Sequence, residues 1–142
     1  MRHIMVATDG SKAANRAIDV AAKLAKTLGG KLLIVTVRGS FSGKDIRQFA
    51  GAKGDIGNAL ELLSQKIIAA AKNRPQRLGV ANLQLRSAWG DPAQLIIKTA
   101  LSEGIDTIVI GRRGQGRLAG VLLGSVSQKL ASLAPCSVII VP

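Results

Sequence analysis

Short apolar runs alternate along this chain with stretches in which apolar side chains recur every three or four positions, the pattern of strands interleaved with helices. His3 to Thr8 predicts a first strand, after which Ala14, Ala17, Ile18, Ala21, Ala25 and Leu28 form a helical stripe that Gly29-Gly30 ends. Lys31 to Val37 is a continuous apolar strand. Ile56, Ala59, Leu60, Leu63, Ile67 and Ala70 mark a second helix, which the pattern ends near Arg74-Pro75. Asn82 to Ser87 alternates like a third strand. Asp91-Pro92 then supplies an N-cap and a first-turn proline to a helix striped by Ala93, Ile96, Ile97 and Ala100. Thr107 to Ile110 reads as the fourth strand, Ser125 to Leu133 as the last helix, and Ser137 to Val141 as the last strand.

The order is therefore βαβαβαβαβ. Near-continuous apolar strands with helices between them imply a parallel sheet covered on both faces by right-handed crossovers, hence a doubly wound α/β sandwich. The 142 residues suit one domain spanning 1–142, and the 47% hydrophobic content suffices for its core. The one cysteine, Cys136, excludes an internal disulfide framework and reads as a small buried hydrophobe. No charged leader with a long apolar run opens the chain, and no run approaches the roughly 18 apolar residues of a membrane span. The expectation is a soluble cytoplasmic protein.

Candidate chemistry concentrates between the fourth strand and the last helix, in Ile110 to Ser127, IGRRGQGRLAGVLLGSVS. Its glycines Gly111, Gly114 and Gly124, with Ser125 after the last, let the backbone approach a ligand closely just where a helix start attracts anions. The pattern reads as a phosphate cradle. Competing motifs fail: GxxxxGK[ST] is absent, and Asp9-Gly10-Ser11 after the first strand lacks GxGxxG. One histidine and one cysteine cannot build a zinc site, and His3 reads as structural.

The spacing of Gly111, Gly114, Gly124 and Ser125 resembles the nucleotide-binding signature of the universal stress protein family in its ATP-binding branch. HIMVATDGSKAANRAI at the start, Gly90-Asp91-Pro92, and APCSVIIVP at the end are similar to that family as well. The resemblance implies strand order 3-2-1-4-5 in a fold of the adenine nucleotide alpha hydrolase type, with the ligand in the crevice between strands one and four. It implies ATP as the ligand, with Mg²⁺ as an optional companion. The contacts it implies are Asp9 after the first strand, Val37 through its backbone to adenine, and Gly111, Gly114, Gly124 and Ser125 around the phosphates; Ala7, Arg112, which the motif does not fix, and Val126, against the base, are further candidate contacts beside them. Asp9 has the alternative of an ordinary helix N-cap, and Val126 of packing on the sheet. Arg112, Arg113 and Arg117 either clamp phosphates or point to solvent.

The implied order places the fifth strand at the sheet edge, where Val138 to Val141 would leave unpaired backbone groups; a twofold homodimer through that strand would cover them. Efficient hydrolysis has little support, because the glycine loop holds no Asp, Glu or His to position water. The favoured reading is a nucleotide-dependent regulatory or interaction module of the stress response with slow or no turnover. The alternatives are an ATPase of the same fold and, below it, a basic nucleic-acid-associated protein.

Charge complicates this picture. Twenty basic residues stand against eight acidic ones, giving +12, which favours anionic partners without bearing on fold. Lys12, Lys23, Lys26, Lys31, Lys66, Lys72, Lys98 and Lys129 are spread over several predicted elements, as solvated helix faces would have them. A second unusual segment, Arg38 to Asp55, is long and glycine-rich and holds both phenylalanines, Phe41 and Phe49. It reads as a variable loop, a lid over the adenine, or an arm for a partner.

Overall fold

The computed structural model describes residues 2–37, 56–112 and 123–142. Five strands, β1 (His3–Ala7), β2 (Lys31–Val37), β3 (Leu83–Ala88), β4 (Thr107–Gly111) and β5 (Ser137–Val141), form one parallel sheet in the order β3-β2-β1-β4-β5. Among the described residues four helices connect them: α1 (Lys12–Leu28), α2 (Ile56–Arg77), α3 (Pro92–Glu103) and α4 (Ser125–Leu133). The doubly wound α/β fold is as the sequence implies.

Strand periodicity divides the core in two. Ile4, Val6, Leu32, Ile34 and Val109 point to one face, where Ala17, Ile18, Ala21, Ala22 and Ala25 of α1 and Ala71 of α2 cover them. Met5, Leu33, Val35, Val37, Ile108 and Ile110 point to the other, under Ile96 and Ala100 of α3 and Leu130 of α4. Alanine dominates the buried face of α1, so that helix lies close against the sheet. Both faces of β1, β2 and β4 are dry, which is why these strands show no polar alternation.

Two element readings shift. Helix α2 does not stop at Arg74-Pro75 but runs to Arg77, with Pro75 inside its last turn. The proline removes one donor there, and the carbonyls of Arg74, Pro75 and Gln76 are taken up by the main-chain N–H groups of Leu78, Val80 and Gly79. Strand β3 is an edge strand whose Gln84, Leu85, Arg86 and Ser87 are all exposed, so its alternation does not produce an inside and an outside. Cys136 is half-buried rather than buried. Burial pushes its thiol pKa up, the nearby charge of Asp106 adds to that, and the Ile108 N–H only partly offsets them.

Candidate functional site

Beyond the carboxyl ends of β1, β2 and β4 the chain turns into its helices, and here the candidate residues converge. At the tip of β1, the Thr8 amide donates to the Val35 carbonyl at 2.9 Å, carrying the ladder one residue past the strand. Gly10 follows with φ +81, a left-handed conformation that turns the chain into α1. Its N–H donates to the Thr8 hydroxyl at 3.1 Å, and the Ser11 N–H donates to Asp9 Oδ1 at 2.9 Å. Asp9 is therefore not the N-cap of α1. That role falls to Ser11, whose hydroxyl accepts from the Ala14 N–H at 3.1 Å. The carboxylate of Asp9 is oriented within the turn, half-buried above the sheet.

Val37 closes β2 beside Ala88 of β3 and is buried, and Ala7 closes β1 beside Val35. Gly111 closes β4 opposite Val141. A Cβ on Gly111 would stand 2.9 Å from the carbonyl carbon of Ala13, so the first turn of α1 lies directly against the tip of β4. This contact brings the Asp9 turn and the start of the glycine loop together across the boundary between β1 and β4. Strand order reverses there, and such a switch point opens a crevice.

The two ends of the loop are tied to each other. Arg112 donates its N–H to the Val141 carbonyl at 2.6 Å and accepts at its own carbonyl from the Gly124 N–H at 2.7 Å. The Ser127 hydroxyl, buried in the first turn of α4, donates to the same Arg112 carbonyl at 2.8 Å and lies 3.0 Å from the Gly124 carbonyl. Gly124 is the N-cap of α4 and brings no capping side chain, in contrast to Ser11 and Asp91, which cap α1 and α3. The first turn of α4 thus presents its N–H groups without a side chain of its own to accept them. Ser125 is exposed at this start, and Val126 packs against the core cluster under α3 and α4. The Nε of Arg112 is buried with no hydrogen-bond partner among the described residues.

The structure thus brings Ala7, Asp9, Gly111, Arg112, Gly124, Ser125 and Val126 to one rim, with Val37 at the next strand tip. Gly114, Arg113, Arg117 and the Arg38–Asp55 segment lie outside the described residues. Ser127 is the participant that sequence reasoning missed. Its signal was a serine standing where the apolar stripe of α4 would place a hydrophobe, three residues before the buried Leu130. Among the described residues no three His, Cys, Asp or Glu side chains gather to hold a metal ion, and no helix is long and apolar enough to cross a membrane.

Comparison with known proteins agrees with this geometry. A sequence model described as the universal stress protein family matches residues 1–142. Universal stress protein YxiE of Bacillus subtilis is 33% identical over 145 residues, covering 97% of each chain. Among solved structures, universal stress protein UspA from Lactobacillus plantarum superposes with a TM-score of 0.81 at 24% identity, covering 99% of this chain and 97% of its own. A universal stress protein solved in complex with cAMP gives a TM-score of 0.72 at 28% identity, with 99% and 95% covered.

Proposed function

The chain belongs to the universal stress protein family, and from that premise we propose that it binds ATP in the crevice between β1 and β4, as a nucleotide-dependent regulatory or interaction module. The observation that carries the reading is the tie between Arg112 and Gly124, which holds an uncapped helix start beside the Asp9 turn. The cAMP complex of a relative supports an adenine nucleotide as the ligand class.

The residues present fit such a ligand. The N–H groups and the Ser125 hydroxyl at the head of α4 are donors for phosphate oxygens, with the helix dipole behind them. The buried Arg112 Nε is a further cationic donor with no acceptor among the described residues, and phosphate is a strong one. The Asp9 carboxylate can accept from a ribose hydroxyl or an adenine amine, and Val37, at the tip of β2, is where the family resemblance implies a backbone contact to adenine. Mg²⁺ would arrive with the triphosphate rather than wait in a protein cage, as that ion commonly does.

Turnover is slow or absent in this reading, because the described rim supplies one carboxylate, Asp9, which already accepts the Ser11 N–H within its own turn. Binding rather than chemistry is then the output, read by a partner or by a second copy of the chain. Strand β5 lies at the sheet edge, and its pairing with the β5 of a twofold mate would satisfy that edge. A single cytoplasmic domain completes the proposal.

Calorimetric titration with ATP, with and without Mg²⁺, tests it, with Gly124→Trp as the control and released phosphate assayed afterwards. Saturable binding that the variant loses, with little phosphate released, is the expected result. Rapid release would move the protein to the ATPases, and no saturable binding would retire the proposal.

A further inference from the structure

The helical cations among the described residues are sorted by helix layer. Helices α1 and α2 carry Lys12, Arg16, Lys23, Lys26, Lys66, Lys72, Arg74 and Arg77 against Asp19 and Glu61. Helices α3 and α4 on the opposite face carry Lys98 and Lys129 against Glu103. Helical charges that look scattered along the chain are, among the described residues, gathered by the fold mostly on one side of the sheet.

On α1 they form a line. Lys12, Arg16, Asp19, Lys23 and Lys26 follow one another every three or four residues, and at 3.6 residues per turn they fall within an arc of about 80°. From Asp19 to Lys26 this line borders α2, whereas Arg16 donates from Nε to the Pro142 carbonyl at 2.7 Å, past the end of β5. Arg74 donates from Nε to Asp19 Oδ1 at 2.9 Å and from Nη2 to Oδ2 at 3.1 Å, and the Lys26 ammonium lies 3.5 Å from where a Cβ on Gly79 would stand, just past α2. Between the helices runs an open groove of about 320 Å³ lined by Asp19, Lys23, Arg74, Arg77 and Leu78. The acid in it is engaged by Arg74 and serves to hold that guanidinium against the groove wall. Lys23 and Arg77 are exposed.

Helices α1 and α2 both start at the carboxyl edge of the sheet and descend, so the groove lies toward the amino edge, away from the nucleotide crevice. A cation in a final helical turn complements the helix dipole, which accounts for Lys26, Arg74 and Arg77. Arg16 is engaged by the Pro142 carbonyl, but neither that bond nor the dipole accounts for Lys23, in the body of α1. We propose that this groove is a second anion site, a docking surface for the phosphate backbone of duplex nucleic acid.

Three features select that partner. From Arg16 to Lys26 the line extends about 15 Å at 1.5 Å per residue, long enough to meet several phosphates of a duplex, which carries a charge every 1.7 Å or so of its axis. Neither α1 nor α2 contains Phe, Trp or Tyr, so no aromatic platform is present to stack unpaired bases. The groove sits between helix bodies without a helix start or a glycine turn to enclose a small phosphate. Contact of this kind is independent of sequence and strongly dependent on salt.

Fluorescence anisotropy with a labelled DNA duplex, over a series of salt concentrations, tests the proposal. Lys23→Glu with Arg77→Glu is compared with Lys98→Glu with Lys129→Glu, which removes the same net charge from the opposite face. The groove pair should lose affinity by about tenfold or more, with a salt slope shallower by about 1.8, the value for two phosphate contacts, while the opposite pair keeps most of its affinity. Lys23→Gln with Arg77→Gln gives a milder loss in the same direction and keeps the comparison readable should the reversed pair fail to fold. Equal loss from both faces would overturn the site, since net charge alone would then explain binding. So would no wild-type binding at about 0.1 M salt, or tighter binding to single strands or to phosphatidylserine vesicles at equal phosphate.

Discussion

The hydroxyl of Ser127 donates to the main-chain carbonyl of Arg112 at 2.8 Å, closing the glycine loop across fifteen positions of sequence. The Gly124 N–H reaches the same carbonyl, so one oxygen at the end of β4 fixes the distance to the head of α4. In Ser127→Ala that carbonyl keeps one of its two donors. The expected stability loss is at the modest end, about 1 kcal/mol, readable by urea unfolding. ATP affinity should fall more visibly than stability, because the helix start would no longer be held in register with the Asp9 turn.

Gly111 is where α1 and β4 meet most closely. In Gly111→Ala the new methyl would stand 2.9–3.1 Å from the carbonyl carbon, Cβ and oxygen of Ala13. Backbone cannot swing aside as a side-chain end can, so a cost of roughly 1–3 kcal/mol is expected. Because the displaced turn carries Ser11 and Asp9, calorimetry should show weakened nucleotide binding in the same variant.

Asp106 ties the amino end of the sheet. Burial opposes its charge, but the His3 and Arg2 N–H groups, at 3.0 and 2.7 Å, and the Thr107 hydroxyl, at 2.9 Å, outweigh it and hold the pKa below the ordinary 3.8. A carboxyl lowered on folding contributes stability above its unfolded pKa and loses it as pH falls through the folded value. The stability difference between wild type and Asp106→Asn should therefore be constant at neutral pH and shrink only below about pH 4. A difference unchanged down to pH 2 would show that the carboxylate does not contribute this way.

Thr36 is fully buried near the end of β2, and its hydroxyl has no partner among the described residues. Its side chain points to the α1–α2 face, as those of Leu32 and Ile34 do. Replacing an unsatisfied hydroxyl by a methyl removes a desolvation cost, so Thr36→Val should raise stability by about 1 kcal/mol in urea unfolding. A loss instead would mean that the hydroxyl is bonded in solution.

Strand β5 is an edge with Val138, Ile139 and Ile140 half-buried. Sedimentation equilibrium should give twice the 14.7 kDa chain mass if this edge pairs with its mate. A 14.7 kDa species at micromolar concentration would leave the edge to be shielded within the chain.

Much of this was legible along the chain because it depends on local pattern. Continuous apolar runs such as Lys31–Val37, glycine stops such as Gly29-Gly30, and the Asp91-Pro92 helix start state their structure within a few residues, so element order and a doubly wound parallel sheet followed from the sequence alone. The family resemblance carried the strand order. What the chain could not state is which distant groups meet. That Gly111 abuts Ala13 depends on a contact made only once the sheet brings β1 beside β4, and that Ser127 holds Arg112 depends on α4 returning to the tip of β4, whereas the cap of α1 is a local choice between Asp9 and Ser11, two residues of one turn that are both suited to it. The charge pattern shows the same division. The sequence determined how many cations there are, but crossover handedness decided which helices share a face, and so only the tertiary structure gathered Lys23, Arg74 and Arg77 around one groove.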